Sequence, residues 1–184
     1  AFHPLNRNGR ISAIWRFMKW QISSRLIKSK IAIPFVDETI LLCENGQAGA
    51  TGNYYCGLHE YEEMSFLLHF LREGDLFIDI GANIGSYSVL AAGCTNSFVK
   101  SFEPVPQTYR SLSSNIKINN IENMVSTYQL GVSDKPGKLN FSKNLDTVNH
   151  VLIGSEGHAS VDVGVVALDS MVDDQIPSLI KIDV

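Results

Sequence analysis

The chain alternates short apolar runs with segments whose apolar residues recur every three or four positions. Strand-forming apolar residues dominate positions 76–80, and glycines at 81 and 85 close this run. Beyond the glycines, Tyr87, Leu90 and Ala91 recur at helical spacing, with no proline among them. The pattern therefore predicts a buried strand, a tight turn and a helix whose free N–H groups face the space above the strand end.

Further elements follow on both sides of this unit. Strands are predicted at 97–104, 125–130 and 179–184, with a helix after the first of them and a hairpin-like excursion before the last. His150 and His158 lie in the polar connection of that excursion. Either is a candidate general base, although histidines in exposed loops are usually idle.

The stretch before the glycine turn predicts a strand, a loop and a helix. The strand covers 38–43 and leads into an Asn-Gly turn, and the glycine-rich stretch 47–55 is predicted to be a loop. The acidic helix that follows has an apolar stripe and is expected to end at Gly74. His59 has no second histidine at ligand spacing, so no metal site is predicted.

The spacing around the turn indicates which ligand it holds. A dinucleotide fingerprint needs glycines at 81, 83 and 86, but Asn83 and Ser86 occupy two of these positions. Asp79 at the strand end would repel a phosphate and attract an ammonium. Glu103, 22 positions after Gly81, ends the next strand, where a carboxylate can accept hydrogen bonds from ribose hydroxyls. S-adenosylmethionine carries an ammonium and no phosphate, and it fits both carboxylates.

These motifs resemble one family. The segments DIGANIGSYS, FEP, GVSDKPG and LIKIDV occur in the order typical of FkbM S-adenosylmethionine-dependent methyltransferases, and TGNYYCGLHEYEE resembles the entry segment of that family. The resemblance implies an α/β fold with a Rossmann-like class I methyltransferase sheet, parallel and with helices on both faces. It also implies methyl transfer to a hydroxyl of a sugar or another small molecule.

The residue patterns predict three regions and, together with the resemblance, a set of site residues. The regions are a basic amphipathic segment at 1–36 that forms a helical extension, an entry strand, loop and helix at 37–73, and a cofactor-binding core at 74–184. Tyr55 or Glu60 would touch the cofactor if the entry loop and helix fold over it. The expected cofactor-binding residues are Asp79, Gly81, Ala82, Asn83, Gly85, Ser86, Glu103, Pro104, Val132 and Ser133.

The last predicted strand raises two questions. Asp183 at its end would orient or deprotonate the acceptor hydroxyl, or it is only an acid at a strand end. A parallel strand is normally paired on both sides, yet no element follows this one. Because the family pattern continues with further strands and helices, we expect the C-terminal half to be missing, which leaves the activity of the 184 residues open.

Composition narrows the function classes. With 45% apolar residues, 184 positions suffice for one domain, and no apolar run is long enough to cross a bilayer. Three cysteines at irregular spacing favour a reducing compartment, the cytoplasm. The acidic body argues against a nucleic-acid substrate. The remaining alternatives are a module that binds the adenosyl cofactor without turnover and an NAD-dependent oxidoreductase.

The first 36 residues differ in charge from the rest. They hold seven bases and no acid, and apolar residues at 11, 14, 15, 18, 22 and 26 predict an amphipathic helix. Its stripe either packs on the acidic body of the chain, holds a partner or, through residues 11–28, contacts a membrane surface. A basic, acid-free start is also typical of transit peptides, but a chain that begins with alanine does not identify one.

Overall fold

The computed structural model describes residues 3–6, 10–26, 29–44, 48–142, 160–172 and 176–183. In chain order the helices are α1 (Arg10–Leu26), α2 (Ala48–Cys56), α3 (Tyr61–Phe70), α4 (Ser86–Thr95) and α5 (Pro106–Ile118). The strands are β1 (Ile31–Pro34), β2 (Ile40–Cys43), β3 (Leu76–Ile80), β4 (Phe98–Phe102), β5 (Val125–Tyr128), β6 (Gly131–Ser133), β7 (Gly137–Ser142), β8 (Ser160–Ala167) and β9 (Leu179–Ile182).

The centre of the fold is a four-stranded parallel sheet in the order β5-β4-β3-β9. In its register Ile78 of β3 lies beside Lys100 of β4 and Ile180 of β9. Every residue of β3 is buried because the strand is paired on both sides. All four strands end at the same edge, so the segments that follow them meet there. The predicted α/β fold with a parallel sheet is confirmed.

The two faces of this sheet are covered differently. On one face Phe77 belongs to a large apolar cluster with Leu67 of α3, Leu90 of α4 and Leu112 of α5. On the other face a smaller cluster around Ile78, Ile80 and Phe102 packs against β6, β8 and a short 3-10 helix at 168–170. Helix α3, which precedes β3, lies on the helix-covered face of the sheet. The segment after β5 crosses to the opposite face.

A second sheet of three strands forms the excursion predicted from the sequence. Its order is β6-β8-β7, with β7 and β8 antiparallel and β6 parallel to β8. Val163 and Val165 on β8 are buried, as the alternating pattern indicates. His150 and His158 lie outside the described residues, so their candidate role as a base stays a prediction.

The prediction of a loop at 47–55 is wrong, because α2 covers most of that segment. Two glycines make the sequence a poor helix former, but tertiary contacts compensate for this. Tyr54 packs on Trp20 of α1 with ring centres 5.5 Å apart. A methyl group on Gly52 would overlap the ring of His59, so a residue without a side chain is needed there.

Helix α3 forms where it was predicted, but Gly74 does not end it. The helix stops at Phe70, four residues earlier. The guanidinium of Arg72 donates hydrogen bonds to the backbone carbonyls of His69, Phe70 and Leu71 at 2.6–3.0 Å. These bonds satisfy carbonyls that the last turn leaves without partners. Gly74 adopts a left-handed φ of 83° in the turn that leads into β3.

Helix α1 forms as predicted, but its apolar stripe does not pack on the body. Ile11, Trp15 and Leu26 are 75%, 64% and 77% exposed. The helix packs through its opposite face, where Trp20 is 4% exposed. Within the described residues, no helix has the length and apolar character needed to span a membrane.

Candidate functional site

The turn after β3 is held against the end of β4. The N–H groups of Gly81 and Ala82 both donate to the carbonyl oxygen of Phe102, at 3.0 and 2.9 Å. Gly81 has a φ of 72°, which side chains rarely adopt, and a Cβ there would overlap the carbonyl oxygen of Asp183. The close approach of the segment after β9 therefore depends on this glycine.

The turn continues in left-handed geometry at Asn83, which has a φ of 52°. Asparagine tolerates this conformation because its side chain can bond to nearby backbone. Here its Oδ1 accepts the N–H of Ile84 at 2.8 Å. The amide therefore stabilises the turn itself. Gly85, with a φ of 89°, precedes α4, and its missing Cβ leaves room for Leu112.

Glu103 is fixed to this turn. Its Oε2 accepts the N–H of Asn83 and its Oε1 accepts the N–H of Val105, both at 2.9 Å. The residue is 6% exposed. Burial raises the pKa of its carboxyl from 4.5 to about 7, against the opposing effect of the two N–H donors. Each oxygen keeps a further lone pair with which it can accept a hydrogen bond.

Asp79 lies behind the turn and is fully buried. Ser88 of α4 donates to its Oδ2 at 2.6 Å and also bonds to Ser101 of β4 at 2.8 Å. Among the described residues Oδ1 has no hydrogen-bond donor in good geometry, and the ammonium of Lys181 lies 3.5 Å from it as an ionic partner. Burial raises the pKa of the Asp79 carboxyl, and Lys181 opposes the shift. The ammonium beside Asp79 is thus the chain's own.

Lys181 on β9 connects the parts of the site. Its Nζ is 3.3 Å from the carbonyl oxygen of Gly81 and 3.4 Å from Oδ2 of Asp183. It also lies 4.9 Å from the centre of the Tyr87 ring, within cation–π range. Lys181 is not among the residues predicted from the sequence. The available signal was a single base between isoleucines in the run LIKI, since a half-buried charge in a central sheet is expected to have a partner.

Two adjoining clefts lie beside these residues. A cleft of about 260 Å³ is bordered by the turn, where Ala82, Asn83 and Ser86 line it. A more apolar cleft of about 470 Å³ lies between α3 and β9. The two clefts share Glu60, Tyr87, Lys181 and Asp183. Asp183 is exposed and stands where the clefts meet.

Polar contacts hold the wall of the smaller cleft in place. The hydroxyl of Tyr87 donates to Oε2 of Glu60 at 2.6 Å, and burial raises the pKa of this tyrosine. Asn53 is buried, donates to Oγ of Ser86 at 3.1 Å and accepts the N–H of His59 at 2.8 Å. Sequence reasoning missed Asn53 because it lies in the segment predicted to be a loop.

Only some of the predicted site residues line the two clefts: Ala82, Asn83, Ser86 and Asp183. Asp79, Gly81, Gly85 and Glu103 lie next to that lining, at the ends of β3 and β4, without forming part of it. Pro104 is buried just after Glu103.

The remaining candidate residues lie away from the two clefts, except for one of the pair that was named as alternatives to each other. Val132 packs on the apolar cluster beneath β4, and Ser133 bonds to Asp134, so neither borders the two clefts. Tyr55 packs on Phe17 of α1 with ring centres 5.4 Å apart, and it lines neither cleft. Glu60, the other residue named with Tyr55, lines both clefts.

The arrangement suits the binding of a nucleoside-like molecule. A turn with little side-chain bulk borders an open cleft, and the first N–H groups of α4 lie beside it. A buried carboxylate is hydrogen-bonded to that turn, so the acceptor oxygens and the turn backbone form one rigid unit. Within the described residues, no cluster of histidine, cysteine and acidic side chains could hold a metal ion.

The sequence of the chain is similar to that of a curated methyltransferase. The chain is 26% identical over 129 residues to the hexuronic acid methyltransferase AglP of Haloferax volcanii, an alignment that covers 68% of this chain and 52% of AglP. The chain therefore spans about half the length of this relative.

Solved structures with similar folds include Pyrococcus horikoshii TYW2 in complex with MeSAdo. This match has 18% identity, a TM-score of 0.46, and covers 57% of this chain and 37% of that one. A putative methyltransferase from Streptococcus mutans in complex with SAH has 20% identity and a TM-score of 0.36, covering 39% of each chain. The model of the methyltransferase FkbM domain matches residues 79–184. Since this match covers more than half of the chain, the protein belongs to the FkbM methyltransferase family.

Proposed function

We propose that this chain forms the cofactor-binding part of an S-adenosylmethionine-dependent O-methyltransferase that acts on a hydroxyl of a sugar or another small molecule. The observation that carries the proposal is the attachment of Glu103 to the turn through Asn83. It fixes a carboxylate at the distance of one hydrogen bond from the backbone that borders the cleft. Membership of a methyltransferase family supports the same reaction class.

The residues present fit this cofactor. Glu103 would accept hydrogen bonds from the ribose hydroxyls with the lone pairs that Asn83 and Val105 leave free. The turn from Gly81 to Gly85 would lie against the methionine part, and Ser86 would border it. Val132 and Ser133 are the proposed contacts of the adenine, which would then lie outside the two clefts, beyond the end of β5, where the N–H of Glu103 donates to the carbonyl oxygen of Tyr128 at 3.0 Å. When bound, the cofactor supplies an electrophilic methyl group on a sulfonium.

Asp79 would act from behind the turn. Its carboxylate is fully buried and already faces Lys181, so we assign it the role of positioning Ser88 and Lys181. Lys181 in turn contacts the backbone of Gly81. This chain of contacts would keep the turn in the conformation that receives the cofactor.

Asp183 is the proposed catalytic residue. It is exposed at the junction of the two clefts, where an acceptor hydroxyl could meet the cofactor. A carboxylate there would orient the hydroxyl and accept its proton as the oxygen attacks. The name of the relative AglP supports a sugar acid as the acceptor class. The free cysteines at 43, 56 and 94 suit a reducing compartment, and we include the cytoplasm in the proposal.

Calorimetric titration with S-adenosylhomocysteine tests the cofactor site. We expect Glu103→Ala to weaken binding at least about tenfold, because hydrogen bonds to a charged group are lost. Glu122→Ala removes an exposed carboxylate on the turn before β5 and should bind like the wild type. Equal affinity of all three proteins would contradict the assignment, and tighter binding of NAD would favour the oxidoreductase alternative.

Transfer of a labelled methyl group tests turnover. The wild type and Asp183→Asn are incubated with labelled S-adenosylmethionine and glycosides that contain a hexuronic acid. We expect labelled sugar with the wild type and a rate at least about 100-fold lower with Asp183→Asn, the lower limit for general base catalysis. Cofactor binding without any transfer by the wild type would favour the module without turnover.

A further inference from the structure

Helix α1 presents an apolar stripe to solvent. At 100° per residue its members fall within about 120° of the helix circumference, the width of an interaction face. Each is about half exposed or more. The members are Ile11, Ile14, Trp15, Met18, Ile22 and Leu26.

The opposite face of α1 is already used. Trp20 lies roughly opposite the stripe and packs on Tyr54 with ring centres 5.5 Å apart. Arg16 donates to Oδ1 of Asn6 at 2.7 Å and to the carbonyl oxygen of Tyr55 at 3.1 Å. These contacts fix the rotation of the helix, so the stripe cannot turn inward without breaking them.

The charged residues around the stripe indicate what kind of surface it binds. Residues 1–36 hold seven bases and no acid, whereas the rest of the chain holds eight bases and nineteen acids. Lys19 and Arg25 are exposed; Lys19 lies at one side of the stripe, and Arg25 lies within its angular range, near the C-terminal end of the helix. A second copy of the chain would bring two such basic segments together, which repel each other. An anionic lipid surface would attract the bases and would also bury the apolar stripe.

We propose that the exposed face of α1 binds the surface of an anionic lipid bilayer. The helix lies in the plane of the interface, with the apolar stripe at the boundary of headgroups and acyl chains and with Lys19 and Arg25 against the lipid phosphates. Trp15 has the amphipathic ring that favours this depth. The surface is separate from the clefts at the turn, so the proposal does not depend on the proposed function.

The two tryptophans of the chain provide the test. Trp15 is 64% exposed and Trp20 is 4% exposed, so only Trp15 should change its environment on binding. The 184-residue chain is titrated with vesicles of phosphatidylcholine alone and with vesicles of phosphatidylcholine and phosphatidylserine, an anionic lipid that gives the surface a negative potential. We expect a blue shift and co-sedimentation with the anionic vesicles only, both weakened by salt. Trp15→Phe should still sediment but lose the blue shift.

Matched variants separate the stripe from general electrostatic attraction. Lys19→Glu/Arg25→Glu should weaken binding about 25-fold or more, because each base near an anionic surface contributes roughly fivefold. Lys135→Glu/Lys138→Glu makes the same change in net charge at two exposed sites outside α1 and should stay within about twofold of the wild type.

Three results would overturn the proposal. The first is absence of binding to anionic vesicles. The second is equal weakening by the two charge variants. The third is unchanged binding by Ile14→Ser/Ile22→Ser, which would remove any role of the stripe. A wild type that is dimeric without lipid, with Trp15 already shielded, would assign the same face to a second copy instead.

Discussion

The raised pKa of Glu103 predicts that the protein loses stability as pH rises. The folded state holds the carboxyl proton up to a pKa of about 7, whereas an unfolded chain releases it near 4.5. Between these values the folded state binds more protons than the unfolded state, so the free energy of unfolding falls with increasing pH. From pH 5.5 to pH 8.5 the linkage for this one group amounts to about 2 kcal/mol.

Glu103→Gln isolates this contribution because it cannot titrate. Urea denaturation of both proteins at pH 5.5, 6.5, 7.5 and 8.5 gives the difference in unfolding free energy, in which most other titrating groups cancel. We expect the wild type to lose about 2 kcal/mol relative to the variant across this range. The variant also loses an acceptor for one backbone N–H, which shifts the whole series by about 1–3 kcal/mol but not its slope.

A constant difference across the pH series would refute the reasoning. It would mean that the two N–H donors keep the carboxyl ionised throughout, so that burial does not dominate its pKa. The protonation state of Glu103 should also affect cofactor binding. If the ionised form accepts the ribose hydroxyls, the affinity for S-adenosylhomocysteine rises as pH increases toward and past 7. In Glu103→Gln that dependence should disappear.

Two further predictions concern the supports of the site, and one concerns a buried thiol in the core. Gly81→Ala should destabilise the protein by more than the roughly 1–2 kcal/mol of left-handed backbone strain, because its Cβ meets a backbone carbonyl. Gly74→Ala has a similar φ and open space, so in urea denaturation it should show the strain alone. Lys181→Met should lower the unfolding free energy by about 3–5 kcal/mol at pH 8, because it leaves Asp79 unpaired. Adding Asp79→Asn to this variant should restore much of the lost free energy. If the losses of the two single variants are strictly additive in the double variant, the two residues do not act as a pair. Cys43 is buried, and burial raises the pKa of its thiol to about 12. It should therefore be the slowest of the three cysteines to react with a thiol reagent. Fast labelling of Cys43 in the native protein would contradict this.

Much of the core could be predicted from local patterns. The apolar run at 76–80 specifies the central strand, and the glycines after it specify the turn. The acid at 103 could be predicted at the end of the next strand. Each of these features depends on backbone geometry that residues nearby in sequence determine. The parallel order of the four central strands agrees with the fold that the family resemblance implies.

Contacts between distant segments decided the rest. Asp79 was expected to face an external ammonium, but β9 places Lys181 beside it, about 100 residues away in sequence. The glycine-rich segment became α2 because aromatic packing with α1 outweighs its low helix propensity.

The sequence by itself determined that α1 is amphipathic and basic, since composition and spacing along one helix are local properties. Only the tertiary structure decided which way its stripe faces. That orientation depends on the side chains that lock the opposite face, Arg16 and Trp20, and their partners come from other parts of the chain.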